Sequence, residues 1–154
     1  MKSLQQTYAP NSICFGCGPA NPKGLKINSF PINSEETKCI FTPEQHHEAF
    51  PGMINGGIIG SLLDCHSNWT CAWHLMNRLK LDHPPCCVTA FFNVKLLKPT
   101  LSGKELELKA KVIEGKDDRA KILATLSVDG VETAQCEGLF VAVKPGHPAY
   151  HRWS

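Results

Sequence analysis

Residues 51–65, PGMINGGIIGSLLDC, combine a helix start with an acidic side chain, a pairing suited to chemistry at a carbonyl group. Asn55 stands where its side-chain oxygen can cap a helix, and Gly56 and Gly57 follow it directly. A helix N-terminus presents unpaired N–H groups and about +0.5 of an elementary charge, which together stabilise an oxygen that becomes negative. Because Gly56 has no Cβ, a substrate carbonyl can approach its N–H closely.

Asp64, nine residues after Asn55, is the one carboxylate of the predicted helix. A carboxylate near a reacting carbonyl acts as a nucleophile or as a base that activates water. It shares one narrow helix face with other small or polar residues, namely Gly57, Gly60, Ser61 and Asn68. Such a face fits a crevice along which a substrate slides, so Gly57, Ser61 and Asn68 are candidates for substrate binding. The alternative is that the glycines serve tight packing and that Asp64 is merely solvated.

The cysteines suggest a second kind of site. Cys14 and Cys17 form a Cys-x-x-Cys pair, which is half of a typical zinc site, but no second pair follows. His46, His47 or Cys39 could complete the ligand set only if the fold brings one of them near. We therefore predict two reduced loop thiols and no bound metal.

Two further candidates involve histidines. Cys65 and His66 look like a catalytic dyad, but neighbouring helical residues point about 100° apart, so we predict that Cys65 belongs to the core. His47 lies just before Phe50, Pro51 and Gly52, where it either lines the site or caps the turn. We favour the role in the turn, and we also retain His47 as a candidate for substrate binding.

The bulk properties exclude several classes of protein. A length of 154 residues predicts one domain, and a net charge of +2 is too mild for a nucleic-acid partner. The N-terminus has no apolar signal-peptide core, and no apolar run reaches the ~20 residues that cross a bilayer. We expect a soluble, cytoplasmic protein with no membrane partner and with reduced cysteines.

The elements that position these residues follow from hydrophobic periodicity. Residues 1–24 look like an N-terminal loop segment, residues 25–144 like one folded domain, and residues 145–154 like a C-terminal tail. Helical periodicity runs from Gly56 to about Lys80. Strands are predicted at 25–32, with Pro31 at an edge or bulge, and at 37–43, 88–97, 104–114, 119–128 and 131–144. This order predicts an α+β protein with the helix laid against an antiparallel sheet.

The stretch FPGMINGGIIGSLLD resembles the helix start of hotdog-fold thioesterases of the phenylacetate-pathway type. Their pattern is F/P-P-G-x-x-H-G-G, then six residues, then an acid. CFGCGPANPKGL (14–25) is similar to the lead-in of one branch, and residues 88–112 are similar to the family's third and fourth strands. The resemblance covers residues 12–143. One departure is that Asn55 replaces the family histidine, giving Asn-Gly-Gly for His-Gly-Gly.

The resemblance implies a hotdog fold, in which an antiparallel sheet wraps a long central helix. It implies hydrolysis of an acyl-CoA thioester, with coenzyme A as part of the substrate and no other cofactor. Asp64, Gly56 and Asn55 would be the catalytic residues. Thr89 stands where family members often carry a hydroxyl that contacts the attacking water, although an ordinary strand residue is as compatible with the sequence. The assembly would be a homodimer or a dimer of dimers (a homotetramer).

Helix geometry predicts that two chains share each site. Gly56 and Asp64 are eight residues apart, which separates their backbones by about 12 Å along the axis, while an aspartate side chain reaches only ~3 Å. Two antiparallel copies of the helix would bring Gly56 of one chain to Asp64 of the other.

The alternative function is non-catalytic binding of acyl-CoA or fatty acid on the same fold. A zinc-dependent interaction module comes third.

Overall fold

The main layer of the protein is a six-stranded antiparallel sheet. The computed structural model describes residues 1–154. The strands of this sheet are β1 (Phe30–Pro31), β2 (Glu36–Phe41), β5 (Cys87–Leu96), β6 (Leu106–Lys116), β7 (Arg119–Val128) and β8 (Val131–Ala142), and their order across the sheet is β1-β2-β6-β7-β8-β5. The last four match the predicted strands 88–97, 104–114, 119–128 and 131–144 closely, because alternating polarity and turn residues specify them locally.

One long helix, α2 (Gly56–Arg78), lies against this sheet and contacts β2 and β5 to β8. Its buried face includes Leu62, Leu63, Trp69 and Leu75. The helix begins at the residue after Asn55, as predicted, and the α+β arrangement with one long helix confirms the predicted hotdog fold. It ends at Arg78 rather than near Lys80, since Lys80 has a φ of 54°, outside the helical region.

In the N-terminal part of the sheet, β2 confirms the strand predicted at 37–43, whereas the first predicted strand differs. The strand expected at 25–32 is reduced to Phe30–Pro31, although Pro31 does lie on the sheet edge. The backbone N–H groups of Leu25 and Ile27 donate instead to the carbonyls of Phe15 and Gly16, so this stretch pairs with the N-terminal loop. Within the segment predicted as loop, α1 (Leu4–Tyr8) forms a short helix with a complete capping box.

A small hairpin leads into α2, between the predicted strand 37–43 and the helix, where no strand was predicted. A 3₁₀ turn at Gln45–His47 precedes β3 (Glu48–Phe50) and β4 (Met53–Ile54), which pair as a separate two-stranded sheet. Gly52 joins them with a φ of 85°, a conformation that favours glycine. The hairpin fixes the direction in which the chain enters α2.

Both terminal segments pack on the middle of α2. The Trp153 ring stacks on Trp69 of the helix with centroids 4.0 Å apart, and both side chains are buried. Cys17 is buried as well. The loop and the tail therefore flank the helix turn that carries Asp64. No helix in the chain is long and apolar enough to cross a membrane.

Candidate active site

The start of α2 keeps one free N–H group. The Asn55 side-chain oxygen accepts hydrogen bonds from the N–H groups of Gly57 (2.8 Å) and Ile58 (3.2 Å). Asn55 is itself held by a hydrogen bond from its N–H to the carbonyl of His47 (3.0 Å). The Gly56 N–H donates to no group of the chain. The exposed Gly56 N–H is therefore the donor that this helix end offers to a ligand.

The two adjacent glycines have different reasons to lack a side chain. A Cβ on Gly57 would lie 2.9 Å from the Asn55 cap oxygen, so a side chain there would disturb the cap. A Cβ on Gly56 would lie 3.4 Å from the Leu96 side chain, an ordinary contact. Gly57 is thus explained by the local structure, whereas the absence of a side chain at Gly56 keeps its N–H open to approach.

Asp64 is half-buried and hydrogen-bonded to Thr89. The Thr89 hydroxyl donates to Asp64 Oδ1 at 2.6 Å. Burial, together with the charge of Cys14, raises the pKa of Asp64 above its ordinary value, against the lowering effects of the Thr89 hydrogen bond and of the charge of Arg152. The carboxylate is therefore a stronger base than an exposed aspartate, and it has a second oxygen that Thr89 does not occupy.

A small cavity opens beside this carboxylate. Its volume is about 140 Å³, and Asp64, Asn68, Thr89 and Arg152 line it together with three cysteines. The structure thus brings together three of the predicted site residues, Asp64, Asn68 and Thr89. Gly56 and Asn55 lie at the other end of the same helix segment, about 12 Å along the axis.

The small-residue face of α2 lies along β5. In order along the helix, Gly56 is near Leu96, Gly60 is near Phe92, Asp64 bonds to Thr89, and the Asn68 amide donates to the Cys87 carbonyl at 3.1 Å. Helix and strand therefore run antiparallel, with the small residues of α2 facing β5. Ser61, on the same face, is half-buried and donates to the Gly57 carbonyl at 3.0 Å.

Solved structures of thioesterase superfamily proteins share this fold. A thioesterase superfamily protein from Shewanella loihica PV-4 is 29% identical, with a TM-score of 0.64 over 82% of this chain and 98% of that one. The chain has the hotdog fold of thioesterase-superfamily proteins. The PaaI protein of the E. coli phenylacetic acid degradation operon is 15% identical (TM-score 0.67; 78% of this chain, 81% of that one). The sequence matches no protein-family profile and no curated protein sequence.

His47 lies outside the Asp64 cavity of this hotdog domain. Its Nδ1 accepts a hydrogen bond from the Glu44 N–H at 2.9 Å, and its ring lies against His46 and Phe41. His47 therefore occupies the turn, as the sequence favoured. Its backbone carbonyl also accepts the hydrogen bond from the Asn55 N–H. A role for its side chain in substrate binding stays a prediction.

Two features of the hotdog domain could not be found from the sequence. Arg152 reaches the cavity from the C-terminal tail, where no local pattern marks it. Cys65, predicted as core, is half-buried and packs against the core, but its sulfur also lies 3.8 Å from that of Cys14, a contact that no local pattern marks. His66, as expected, points elsewhere, into a buried network with Ser29 and Thr37, and burial lowers its pKa to about 4.

Proposed function

We propose that this protein hydrolyses an acyl-CoA thioester to a free acid and coenzyme A. The observation that supports the proposal is the hydrogen bonding at the start of α2. The Asn55 side chain accepts from two backbone N–H groups, and the N–H group of Gly56 stays free. A single N–H aimed at a developing oxyanion is typically worth ~10²–10³ in rate. The thioesterase superfamily protein from Shewanella loihica PV-4, which is 29% identical, supports the same chemistry.

In this proposal the thioester oxygen accepts a hydrogen bond from the Gly56 N–H. Asp64 removes a proton from water through the oxygen that Thr89 leaves free, and the water oxygen attacks the carbonyl carbon. The C–S bond then breaks, and the thiolate of coenzyme A takes the proton from Asp64. The raised pKa of Asp64 favours this role as a base; direct attack by the carboxylate is the second route to test.

We further propose that each site is shared between two chains. β5 is an edge strand of the sheet, and its exposed side chains include Phe91 (52% exposed) and Leu96 (58%). A long apolar edge of this kind is a template for pairing with a second copy. Pairing of β5 with β5 around a two-fold axis would place the two α2 helices antiparallel, with Gly56 near Asp64 of the partner subunit.

The test of the activity compares wild type with Asp64→Asn, an isosteric change. A panel of acyl-CoAs is assayed with a thiol reagent that reports released coenzyme A. We expect hydrolysis by wild type and its loss in the variant, while Asp82→Asn, a change at an exposed aspartate, keeps the wild-type rate. Binding of acyl-CoA by wild type without turnover would instead indicate a carrier protein, and turnover by Asp64→Asn at the wild-type rate would refute the role of Asp64.

A further inference from the structure

Three cysteines meet beside the Asp64 cavity. The sulfur atoms of Cys14, Cys17 and Cys65 all lie within 4.8 Å of one another, and those of Cys14 and Cys65 are 3.8 Å apart. Tetrahedral zinc with Zn–S bonds of about 2.3 Å places its sulfur ligands about 3.8 Å from each other. A disulfide requires about 2.05 Å, and all three cysteines are free. The spacing therefore matches a set of metal ligands.

The backbone is shaped to permit this approach. Cys14 and Cys17 lie in a tight turn, closed by a hydrogen bond from the Gly18 N–H to the Cys14 carbonyl at 2.8 Å. A Cβ on Gly16 would lie only 2.3 Å from the Cys65 sulfur. Any residue other than glycine at position 16 would thus push the turn away from α2, so the short sulfur distances depend on this glycine.

The hydrogen bonds around the sulfurs suit thiolates. The Trp69 indole donates to the Cys17 sulfur at 3.3 Å. A metal ligand must be a thiolate, so this cluster would have to hold three thiolates side by side. A divalent cation would stabilise all three.

An unpaired oxygen belongs to a residue that lines the same cavity. Asn68 is only 7% exposed and lines the cavity with the three cysteines, yet its buried side-chain oxygen has no hydrogen-bond partner. Buried polar atoms are rarely left unpaired, so a donor is missing beside the cysteine cluster.

We propose that Cys14, Cys17 and Cys65 bind a zinc ion, with water as the fourth ligand on the cavity side. Three thiolates select a soft metal such as Zn²⁺ over Mg²⁺ or Ca²⁺. The ion would tie the N-terminal loop to the helix turn that carries Asp64. This proposal replaces the expectation of two reduced loop thiols, and it does not rest on the thioesterase function.

The first test is the metal content of the full-length protein, purified without chelators and with a reductant. We expect one zinc ion per chain in wild type, and its loss in Cys14→Ser and Cys17→Ser. Cys86→Ser is the matched control, because Cys86 is also half-buried but lies outside the cluster. Zinc that persists in the two cluster variants would overturn the proposal.

A second test titrates the metal-free wild-type protein with Co²⁺. Because it uses no variant, its result does not depend on whether the cysteine variants fold. Binding by three thiolates should produce an intense sulfur-to-cobalt charge-transfer absorption, which zinc then abolishes by displacement. No such absorption, or a Cys14–Cys65 disulfide found by peptide mapping of the reductant-free protein, would overturn the proposal. Neither readout depends on hydrolysis, so failure of the metal site and failure of the enzymatic proposal are distinguishable.

Discussion

At the scale of single residues, the environment of Asp64 predicts a pH dependence. Its pKa lies above the ordinary 3.8 because burial outweighs the stabilising Thr89 hydrogen bond. A base must be deprotonated, so hydrolysis should decrease as the pH falls through this raised pKa. Thr89→Val removes a contact that lowers the pKa, and the acid limb of the pH–rate profile should therefore move to higher pH. An acid limb that does not move would show that Asp64 is not the titrating base.

The Asn55 cap predicts a separation of stability from activity. Asn55→Ala removes the acceptor for two N–H groups and should cost about 0.5–2 kcal/mol of unfolding free energy in denaturant titrations. Asn55→Asp keeps an oxygen at the cap and should retain stability. Its negative charge would oppose an oxyanion beside Gly56, so its rate should fall. If Asn55→Asp is as active as wild type, the oxyanion does not form at this helix end.

The catalytic roles of Asn55, Gly56 and Asp64 stay predictions. Spacing alone did predict the start of α2 after the Asn55 cap, because capping residues and helical periodicity are local signals. It could not select Arg152, which reaches the cavity from a tail with no periodic pattern. The contact between Cys65 and Cys14 could not be predicted either, because the two residues are 51 positions apart in the sequence. Long-range contacts of this kind leave no local signal.

At the scale of elements, the two glycines that open α2 should respond differently to alanine. Gly57→Ala places a Cβ 2.9 Å from the cap oxygen and should reduce stability despite the higher helix propensity of alanine. Gly56→Ala meets only an ordinary contact at 3.4 Å, so stability should be kept or rise. Its methyl group would nevertheless crowd the free N–H and decrease turnover. Thermal unfolding and acyl-CoA assays of both variants provide the test, and a fully active Gly56→Ala would contradict it.

Element prediction succeeded where the pattern is regular. The four later strands were found because apolar and polar residues alternate in them and because turns such as Asp129-Gly130 separate them. The strand expected at 25–32 was mostly absent because Lys26 has a φ of 54° and its neighbours pair with the N-terminal loop. A positive φ at a lysine is not readable from composition.

At the scale of the whole molecule, the exposed β5 edge predicts self-association. Phe91, Phe92 and Leu96 are 52%, 42% and 58% exposed on this edge strand, which is unusual for a monomer. Sedimentation velocity should therefore find a dimer or a larger even assembly at assay concentrations. A monomer with full activity would rule out a site shared between chains.

The most direct test of the shared site mixes two inactive variants. Asp64→Ala lacks the base and Gly56→Trp blocks the N–H, so neither should hydrolyse acyl-CoA alone. When subunits exchange randomly at equal concentrations, half of the dimers are mixed, and one of the two sites in each has both groups intact. The mixture should then recover about a quarter of the wild-type activity per site. No recovery, although mass spectrometry shows that mixed dimers have formed, would contradict the account.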